Sequence, residues 1–548
     1  MSFDYDVIVV GSGFGGSVSA LRLSQKGYRV LVVEAGKRWS KEDFPETNWQ
    51  VGRYLWAPQL GARGIQRMQL MRHALVLSGV GVGGGSLVYG NTLFEPLDPF
   101  FEAPTIAALG GAAVLKPYFE LARKMMGVVA NPRITAMDGH ARAVAEEYGR
   151  GDSFMPSPVA VYFGEEGQAA PDPYFEGEGP ARTGCTACGG CFLGCRVGAK
   201  NTLDRNYLYL AEGLGCQIMA ETKVERLVPI GGDGAGGYEV HVKVRGEGRR
   251  VMRAGQVVVS AGVMGTLSLL LEARQRGDLP RTSAMLGREV RTNSETVVAV
   301  RARARDADHS WGIAASTSVF PDDHTQIQID RYPAGADALA TIATLMVDGG
   351  KVPRWLGFVG QVLRHPLDFL RVLWPFGFAR QTAFLVVMQD WDNKLRLKLG
   401  RSWLPPFGKT LRSKTPDGPA APSYIAIGND FARRLAKRIG GVPLSSVSEV
   451  LMDVPTTAHI LGGCPIGETP QQGVVDLDQK VFGYENLYVV DGTVVPVNLG
   501  VNPALTILAL AERAMAKVPT KPGAQWRGLA VDSKWGVEAL LQRDGPQG

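Results

Sequence analysis

A glycine-rich turn stands between two short apolar runs at the start of the chain. Residues 6–10, rich in β-branched side chains, predict a buried parallel strand. The turn Gly11-Ser12-Gly13-Phe14-Gly15-Gly16 follows, then a helical pattern, and then a second apolar run at 28–33 that ends at Glu34. This arrangement places phosphates at a helix N-terminus and a ribose hydroxyl against the acid about 20 residues further on. The pattern predicts a dinucleotide site and leaves FAD and NAD open.

The composition predicts a folded protein of more than one domain. The chain has 548 residues, of which 45% are hydrophobic and 20% charged, enough to bury a large core. The net charge of +6 is spread without a basic stripe, so nucleic-acid binding is not expected. We see no export signal and no run of the roughly 18–20 apolar residues that a spanning helix requires. We therefore expect a cytoplasmic protein, with a peripheral position at a membrane as the alternative.

A second glycine-rich segment occupies residues 78–91, with six glycines in fourteen positions. No helix or strand tolerates that density, so the backbone must lie against a flat or charged group. A flexible linker is the alternative, but the run is apolar rather than serine-rich. We predict a second cofactor contact here.

The C-terminal part of the chain contains a further set of motifs. His459 begins the segment His-Ile-Leu-Gly-Gly-Cys, and residues 487–490 predict another buried strand, followed by a turn at Asp491-Gly492. Asn502-Pro503 then opens a predicted helix whose N-terminus offers free N–H groups.

Together these segments resemble the glucose–methanol–choline family of FAD-dependent oxidoreductases. The resemblance rests on the N-terminal turn, residues 78–96, the segment Val-Val-Val-Ser-Ala-Gly-Val-Met-Gly at 257–265, and residues 458–514. The segments around His459 and Asn502 are most similar to those of bacterial cholesterol oxidases. Membership implies FAD rather than NAD and an enzyme that oxidises alcohols.

The resemblance also implies roles for single residues. His459 would take the hydroxyl proton, and Asn502 would hold the substrate oxygen. Cholesterol oxidases also use a glutamate for double-bond isomerisation, and the sequence assigns no residue to that role, Glu295 included. The cofactor contacts expected from the glycine turns and from the resemblance are Gly11, Gly13, Phe14, Gly15, Gly16, Glu34, Gly79, Gly83, Gly84, Ser86, Asn91, Val224, Ala261, Gly262, Asp491, Gly492, Asn502 and Pro503.

Four of the six cysteines form the compact cluster Cys185-x2-Cys188-x2-Cys191-x3-Cys195. This spacing is typical of ferredoxin-type iron–sulfur loops and too short for two separated zinc-binding pairs. Arg196 stands where ferredoxins have proline, and a fourth cysteine can serve a second cluster. The sequence therefore predicts a 4Fe-4S or 3Fe-4S cluster, with free thiols as the alternative.

Residues 353–380 contain an amphipathic segment with tryptophans near its ends. Its leucines and Trp374 share one face, its charged residues mark another, and Pro366 predicts a break into two helices. Such a segment can lie in a membrane interface, and a buried helix pair lining a core is the alternative. Its apolar and aromatic side chains favour a hydrophobic alcohol as substrate over a sugar.

We expect an α/β fold with two parts. A discontinuous Rossmann-like FAD-binding domain would comprise residues 1–110, 180–300 and 445–520, with the cysteine loop at 183–200. An α+β substrate domain with an antiparallel sheet would comprise 111–179 and 301–444, and 521–548 would form a tail. The predicted function is FAD-dependent oxidation of a sterol-like or long-chain alcohol, with electrons relayed by the cluster to an external acceptor. The alternatives are an oxygen-using oxidase with a structural cysteine loop and a non-redox lyase or decarboxylase on the same fold.

Overall fold

The computed structural model describes residues 3–401, 409–415 and 419–542. Two seven-stranded sheets organise these residues. The first has the strand order Gln217–Met219, Val30–Val33, Tyr5–Val10, Gly248–Val259, Tyr238–Val244, Thr222–Pro229, and Leu487–Val489 also pairs with the long strand Gly248–Val259.

The first sheet combines a parallel core with an antiparallel edge. Tyr5–Val10 pairs in parallel with both Val30–Val33 and the second half of Gly248–Val259. The long strand Gly248–Val259 also pairs antiparallel with Tyr238–Val244. The side chains of the parallel strands are buried on both faces, which their continuous β-branched runs require. Helices Phe14–Gln25, Gly262–Arg276 and Ala504–Ala516 contribute buried apolar side chains to the same core.

The second sheet is antiparallel throughout. Its strand order is Ala343–Leu345, Gly441–Ser446, Thr296–Ala302, Thr382–Gln389, Thr325–Asp330, Ala315–Asp322, Met155–Pro156. Helices Ala136–Glu147 and Ala426–Arg438 cover one face with a separate apolar cluster. The other face looks into a large cavity. The two sheets together confirm the predicted fold class.

The amphipathic segment forms two helices, Arg354–Arg364 and Pro366–Leu373, divided where Pro366 predicts a break. The interpretation of these helices as a buried pair is wrong. Asp368 lies on the protein side, where it pairs with Arg303 at 2.8 Å beside the buried Val372, and the leucines lie on the exposed side. The exposed apolar side chains of this segment are Trp355, Leu356, Val359, Leu363, Leu367, Leu370, Leu373, Trp374 and Phe376.

Shorter elements connect these parts. The remaining helices are Val51–Tyr54, Pro99–Glu102, Pro104–Ala108, Gly111–Met125, Tyr207–Gly213, Phe378–Gln381, Val447–Leu451, Ala530–Trp535 and Val537–Gln542. The 3-10 turns are Pro58–Leu60, Gly84–Leu87, Gly151–Ser153, Leu203–Arg205, Asp337–Ile342 and Gly492–Val494. The remaining strands are Trp56–Ala57, Ala62–Arg63, Gln66–Leu70, Leu75–Gly79, Val129–Ala130, Pro158–Val159, Ala169–Ala170, Arg182–Thr183, Arg396–Arg401, Lys409–Lys414 and Thr456–Thr457. None of the helices in the described ranges is long and apolar enough to cross a bilayer.

Candidate active site and cysteine loop

A cavity of about 2250 Å³ runs between the two sheets. One end lies at the carboxyl ends of the parallel strands, where open α/β sheets bind ligands. The other end lies over the second sheet. Of the predicted site residues, those that line this cavity are Gly11, Gly13, Phe14, Gly15, Glu34, Gly79, Gly84, Val224, Ala261, Gly262, His459, Asp491, Gly492, Asn502 and Pro503.

The N-terminal glycines pack the turn tightly against its neighbours. A Cβ on Gly15 would lie 1.8 Å from the carbonyl oxygen of Val490, and one on Gly16 would lie 2.1 Å from that of Gly11. Gly13, in contrast, has no neighbouring atom within 4 Å of its Cβ position. The turn is therefore closed towards the protein and open towards the cavity at the start of the helix, where a phosphate would bind.

Glu34 is held at the end of its strand by the same turn. Its carboxylate accepts hydrogen bonds from the backbone N–H and the hydroxyl of Ser12, at 3.1 and 2.7 Å, and from the backbone N–H of Gly36 at 2.9 Å. Burial raises the pKa of Glu34. Because these contacts fix the side chain at the cavity wall, the Glu34 carboxylate is positioned to accept a hydrogen bond from a ribose hydroxyl.

The second glycine segment lies directly on the first. A Cβ on Gly84 would lie 2.6 Å from the Cα of Gly13, and the backbone of Gly84 has a φ of 54°, which favours glycine. Four predicted contacts, Gly16, Gly83, Ser86 and Asn91, lie outside the cavity lining. Ser86 instead joins the segment to the chain at Leu203, because its hydroxyl donates to the carbonyl of Gly83 at 2.7 Å and accepts from the N–H of Leu203 at 3.0 Å.

Asn91 has a different environment. It adopts a φ of 67°, and its amide nitrogen and oxygen are both buried without a hydrogen-bond partner among the described residues. Because Asn91 does not line the cavity, the structure does not bring this amide to the glycine-lined cradle, and the cofactor contact at Asn91 stays a prediction. Asp491 completes the cradle, held by Thr493 N–H at 2.9 Å and Thr266 hydroxyl at 2.6 Å. The residues at this end of the cavity fit FAD.

A histidine, a carboxylate and an amide meet beside the cradle. His459 Nδ1 lies 2.9 Å from Glu295 Oε2, and His459 Nε2 lies 3.3 Å from Asn502 Nδ2. Glu295 is 1% exposed and also accepts from the Thr457 hydroxyl and the Ala458 N–H. A carboxylate only accepts hydrogen bonds, so Nδ1 carries the proton and Nε2 is left with a lone pair.

Glu295 is the residue in this group whose position the sequence left open. It lies 164 residues before His459, and nothing in the spacing signals the contact. An isolated antiparallel bridge between Arg291 and Leu461 brings the segment that carries Glu295 next to the segment that carries His459. The structure thereby places Glu295 behind the imidazole.

The four clustered cysteines line a second, smaller cavity of about 280 Å³. None of the four forms a disulfide, and backbone N–H groups point at two of them, from Ala187 to Cys185 Sγ at 3.4 Å and from Gly198 to Cys195 Sγ at 3.3 Å. Burial raises the pKa of Cys185 to about 12. Across the parts of the chain that the structure describes, no three His, Cys, Asp or Glu side chains lie close enough together to hold a metal ion. The iron–sulfur cluster therefore stays a prediction.

A buried lysine joins the two cavities. The ammonium of Lys200 donates to the carbonyls of Cys191 at 2.8 Å and of Leu87 and Tyr89 at 3.0 Å each. Burial lowers its pKa to about 8. Tyr89 and Phe192 line the large cavity. Because Phe192 directly follows Cys191, the cysteine loop is adjacent to the cavity wall.

Comparisons with known proteins identify the family. Models of the GMC oxidoreductase family match residues 181–274 and 444–511, and a model of the NAD(P)-binding Rossmann-like domain matches residues 9–42. The chain is 43% identical to a cholesterol oxidase of Acinetobacter baumannii, with 95% of each chain covered. It is 44% identical to a cholesterol oxidase of Mycobacterium tuberculosis strain H37Rv, with 95% of this chain and 92% of the relative covered.

Solved structures agree on the fold. The pyridoxine 4-oxidase from "Mesorbium loti" superposes with a TM-score of 0.60 at 14% identity, covering 93% of this chain and 98% of its own. A formate oxidase superposes with a TM-score of 0.59 at 15% identity, covering 93% and 97%. The chain therefore belongs to the GMC oxidoreductase family, as an FAD-dependent enzyme that oxidises alcohols.

Proposed function

We propose that this enzyme oxidises the hydroxyl of a sterol-like alcohol to a carbonyl, with His459 as the base. The observation that carries the proposal is the position of the His459 Nε2 lone pair and the Asn502 amide, side by side at the boundary between the FAD cradle and an apolar cavity. FAD, bound in that cradle, supplies the hydride acceptor.

Three side chains act on the hydroxyl group of the substrate, directly or through the imidazole. His459 Nε2 takes its proton. The Glu295 carboxylate holds the ring through Nδ1 and stabilises the positive charge that the imidazole acquires. Asn502 can then donate its N–H to the alcohol oxygen as negative charge develops there. Its own oxygen is buried without a partner in the described structure, which leaves this end of the site ready for a ligand.

The floor of the cavity favours a bulky apolar substrate. Its sheet face is built mainly from Val297, Ala299, Phe384, Val386 and Leu444. A sugar would leave many hydroxyls unpaired against such a surface. The two relatives at 43–44% identity are cholesterol oxidases, which supports the same substrate class.

The direct test is to mix the FAD-loaded enzyme anaerobically with cholesterol and, separately, with glucose. We expect cholesterol to bleach the flavin absorbance and glucose to leave it unchanged. A flavin that stays oxidised with every hydrophobic alcohol tried would favour the lyase or decarboxylase alternative.

We also propose that the cysteine loop holds an iron–sulfur cluster that passes electrons singly to an external acceptor. Four cysteines around one small cavity and backbone N–H groups aimed at sulfur are features of cluster-binding loops. The Lys200 contacts join Cys191 of the loop to Tyr89 on the wall of the large cavity, which supports a short path between the loop and the proposed flavin site. Oxygen as the acceptor, with a structural loop, is the competing function.

We further propose that helices Arg354–Arg364 and Pro366–Leu373 lie on a lipid surface from which the substrate enters. The second helix packs on Ala343–Leu345 and on the turn Asp337–Ile342. Ala338, Leu339, Thr341, Ile342 and Ala343 line the substrate cavity, so the second helix packs on a segment of the cavity wall. Leu363 and Leu367 are 77% and 76% exposed. A contiguous apolar patch of this kind is unfavourable in water and marks a surface that a lipid or protein partner covers.

A further inference from the structure

A buried asparagine two residues before Glu295 has no role in the chemistry described above. Asn293 is 0% exposed and is not among the residues that line the cavity, so it lies behind the site. Its side chain binds one other stretch of backbone through three hydrogen bonds. The amide nitrogen donates to the carbonyl of Val501 at 2.9 Å, and the amide oxygen accepts from the N–H groups of Leu499 at 2.9 Å and Gly500 at 3.2 Å.

The stretch held in this way leads directly to Asn502. Residues 495–503 belong to no helix or strand, so no regular hydrogen-bond pattern fixes the backbone there. Asn502 is 8% exposed, and its amide nitrogen lies 3.3 Å from His459 Nε2. The bonds from Asn293 end one residue before Asn502. They therefore constrain the backbone from which the Asn502 side chain projects into the cavity.

The backbone at Asn293 has a left-handed conformation. Its φ is 58°, and the φ of the following Ser294 is 43°. Asparagine tolerates this region better than most residues, whereas serine is less common there. Such conformations are unfavourable and persist where the surrounding contacts fix them. The turn lets Asn293 reach residues 499–501 while Glu295 reaches His459 Nδ1 at 2.9 Å.

The segment 291–295 also binds the chain around the histidine through its backbone. Hydrogen bonds between Arg291 and Leu461, at 2.8 and 2.9 Å, fix the register of the two segments. The hydroxyl of Thr457 lies 2.9 Å from the carbonyl oxygen of Thr292 and accepts from the N–H of His459 at 2.9 Å. One segment of five residues thus holds two groups that are 43 residues apart in the sequence, the imidazole and the amide beside it.

We propose that Asn293 is a positioning residue for the alcohol oxidation, which holds residues 499–501 so that the Asn502 amide meets the substrate oxygen next to His459. The proposal rests on the proposed role of Asn502 and adds the residue on which that role depends. Asn293 lies outside the cavity, so its effect on the reaction passes through Asn502. A misplacement of about 1 Å at a reacting group can lower a rate by about 100-fold, which sets the scale of the expected effect.

The test is a double-mutant cycle on the FAD-loaded enzyme, followed by anaerobic flavin reduction with cholesterol. Asn293→Gly removes the side chain, and glycine keeps the left-handed backbone without strain. We expect the limiting rate of flavin reduction to fall about 10- to 100-fold in Asn293→Gly and about 100- to 1000-fold in Asn502→Ala. The double variant should match Asn502→Ala within about threefold, because a residue that acts through another loses its effect when that other is removed.

The substrate dependence gives a second readout from the same experiment. The cholesterol concentration at half the limiting rate should change less than about threefold in Asn293→Gly, because the amide acts mainly on the charge that develops in the transition state. Asn293→Asp keeps an acceptor for the N–H groups of Leu499 and Gly500, so its limiting rate should recover towards that of the parent. It also serves in the cycle if Asn293→Gly does not fold.

Asn131 provides the matched control. It is 2% exposed, lies outside the cavity lining and also binds backbone through its amide, with three hydrogen bonds of 2.9–3.0 Å to Ser316 and Arg133. Asn131→Gly should lower the Tm, as Asn293→Gly does, and leave the limiting rate of flavin reduction unchanged.

Three results would overturn the proposal. A limiting rate like that of the parent in Asn293→Gly, at full FAD content, would make this residue structural only. Decreases that multiply with those of Asn502→Ala would show that Asn293 acts elsewhere, and through the imidazole if they vanish in Glu295→Gln. If Asn502→Ala is as fast as the parent, or cholesterol leaves the flavin of the parent oxidised, the proposed function itself is wrong, and the positioning role is lost with it.

Discussion

At the scale of single residues, the site depends on how Glu295 holds His459. The carboxylate accepts hydrogen bonds from the Thr457 hydroxyl, the Ala458 N–H and the imidazole, so its orientation is set by the segment that carries the histidine. Glu295 is then a positioning residue, and His459 and Asn502 face the substrate.

We expect Glu295→Gln to lower the rate of anaerobic flavin reduction by about 10- to 100-fold, and His459→Ala by about 10²- to 10⁴-fold. An amide can keep the hydrogen bond but cannot stabilise an imidazolium. The pH–rate profile of Glu295→Gln should also shift, which a loss of packing alone would not produce. Glu272→Gln, on the cavity wall but paired with Arg276, is the matched control. An unchanged profile in Glu295→Gln would contradict the assignment.

A second buried acid makes stability depend on pH. Glu449 is 1% exposed, its carboxyl accepts from the N–H groups of Val297 at 3.2 Å and Thr456 at 3.4 Å, and burial raises its pKa to about 8. Between the ordinary pKa near 4.3 and pH 8, the folded protein keeps a proton that the unfolded chain releases. The free energy of unfolding therefore falls as pH rises through this window, by at most about 1.4 kcal/mol per pH unit.

Glu449→Gln should remove this decrease in the free energy of unfolding with rising pH, because a glutamine keeps the acceptor oxygen but does not ionise. We expect the Tm of Glu449→Gln minus that of the parent to increase steadily from pH 5 to pH 8, as followed by thermal unfolding. The exposed acid Glu102 provides the control variant Glu102→Gln. A Tm difference that does not vary with pH would show that Glu449 is ionised in the folded protein.

At the scale of elements, the cysteine loop makes a prediction about composition. Anaerobically purified enzyme should contain about three or four iron atoms, and as many acid-labile sulfides, per FAD. Cys191→Ser should lose most of this iron while keeping FAD, whereas Cys216→Ser, a buried thiol outside the loop, should keep both. No iron, no zinc and full flavin content would refute the relay, and peroxide formation would then identify oxygen as the acceptor.

The exposed helix pair makes a prediction about lipid binding. The parent enzyme should sediment with phosphatidylcholine vesicles that contain cholesterol, and Leu363→Asp combined with Leu367→Asp should weaken this binding at least tenfold, because each leucine buries apolar surface worth about 1.5–3 kcal/mol. Val129→Asp, at another exposed apolar position, should bind like the parent. A parent dimer that the double variant dissociates, without vesicle binding, would make a second copy of the chain the partner instead.

At the scale of the whole molecule, the proposed FAD cradle is built from segments that lie far apart in the sequence. The cradle takes its walls from the two glycine segments and from the Asp491 turn, and the substrate cavity takes its floor from the second sheet. The domain division at residues 1–110, 180–300 and 445–520 remains a prediction. Cofactor binding and stability should nevertheless be coupled, because only the folded chain assembles the cradle.

Gly84→Ala should show this coupling. The added Cβ would lie 2.6 Å from the Cα of Gly13, so we expect FAD affinity to fall at least tenfold and the Tm of the purified enzyme to fall towards that of the apoprotein. Gly213→Ala adds a methyl group where no atom lies within 4 Å and should change neither quantity. Fluorescence titration with FAD and thermal unfolding measure the two effects, and equal FAD affinities in both variants would rule out the close contact.

Local patterns were sufficient to predict the Rossmann-like start and the break at Pro366, because strand, turn and helix signals act over a few residues. The helices Arg354–Arg364 and Pro366–Leu373 show what such local patterns do not predict. Their amphipathic period predicts one apolar face, but only the packing of the helices on the rest of the protein, with Asp368 paired to Arg303 on the protein side, shows that this face points outward.

The sequence by itself therefore determined the family, the fold class and the motifs from which the cofactor and the histidine base are inferred, since each is written in contiguous residues. Only the tertiary structure decided that Glu295 stands behind His459, that Lys200 joins the cysteine loop to Tyr89 on the cavity wall, and that Asn293 holds the backbone next to Asn502. These contacts join residues far apart in the chain. Sheet register and packing set them, and no local pattern encodes them.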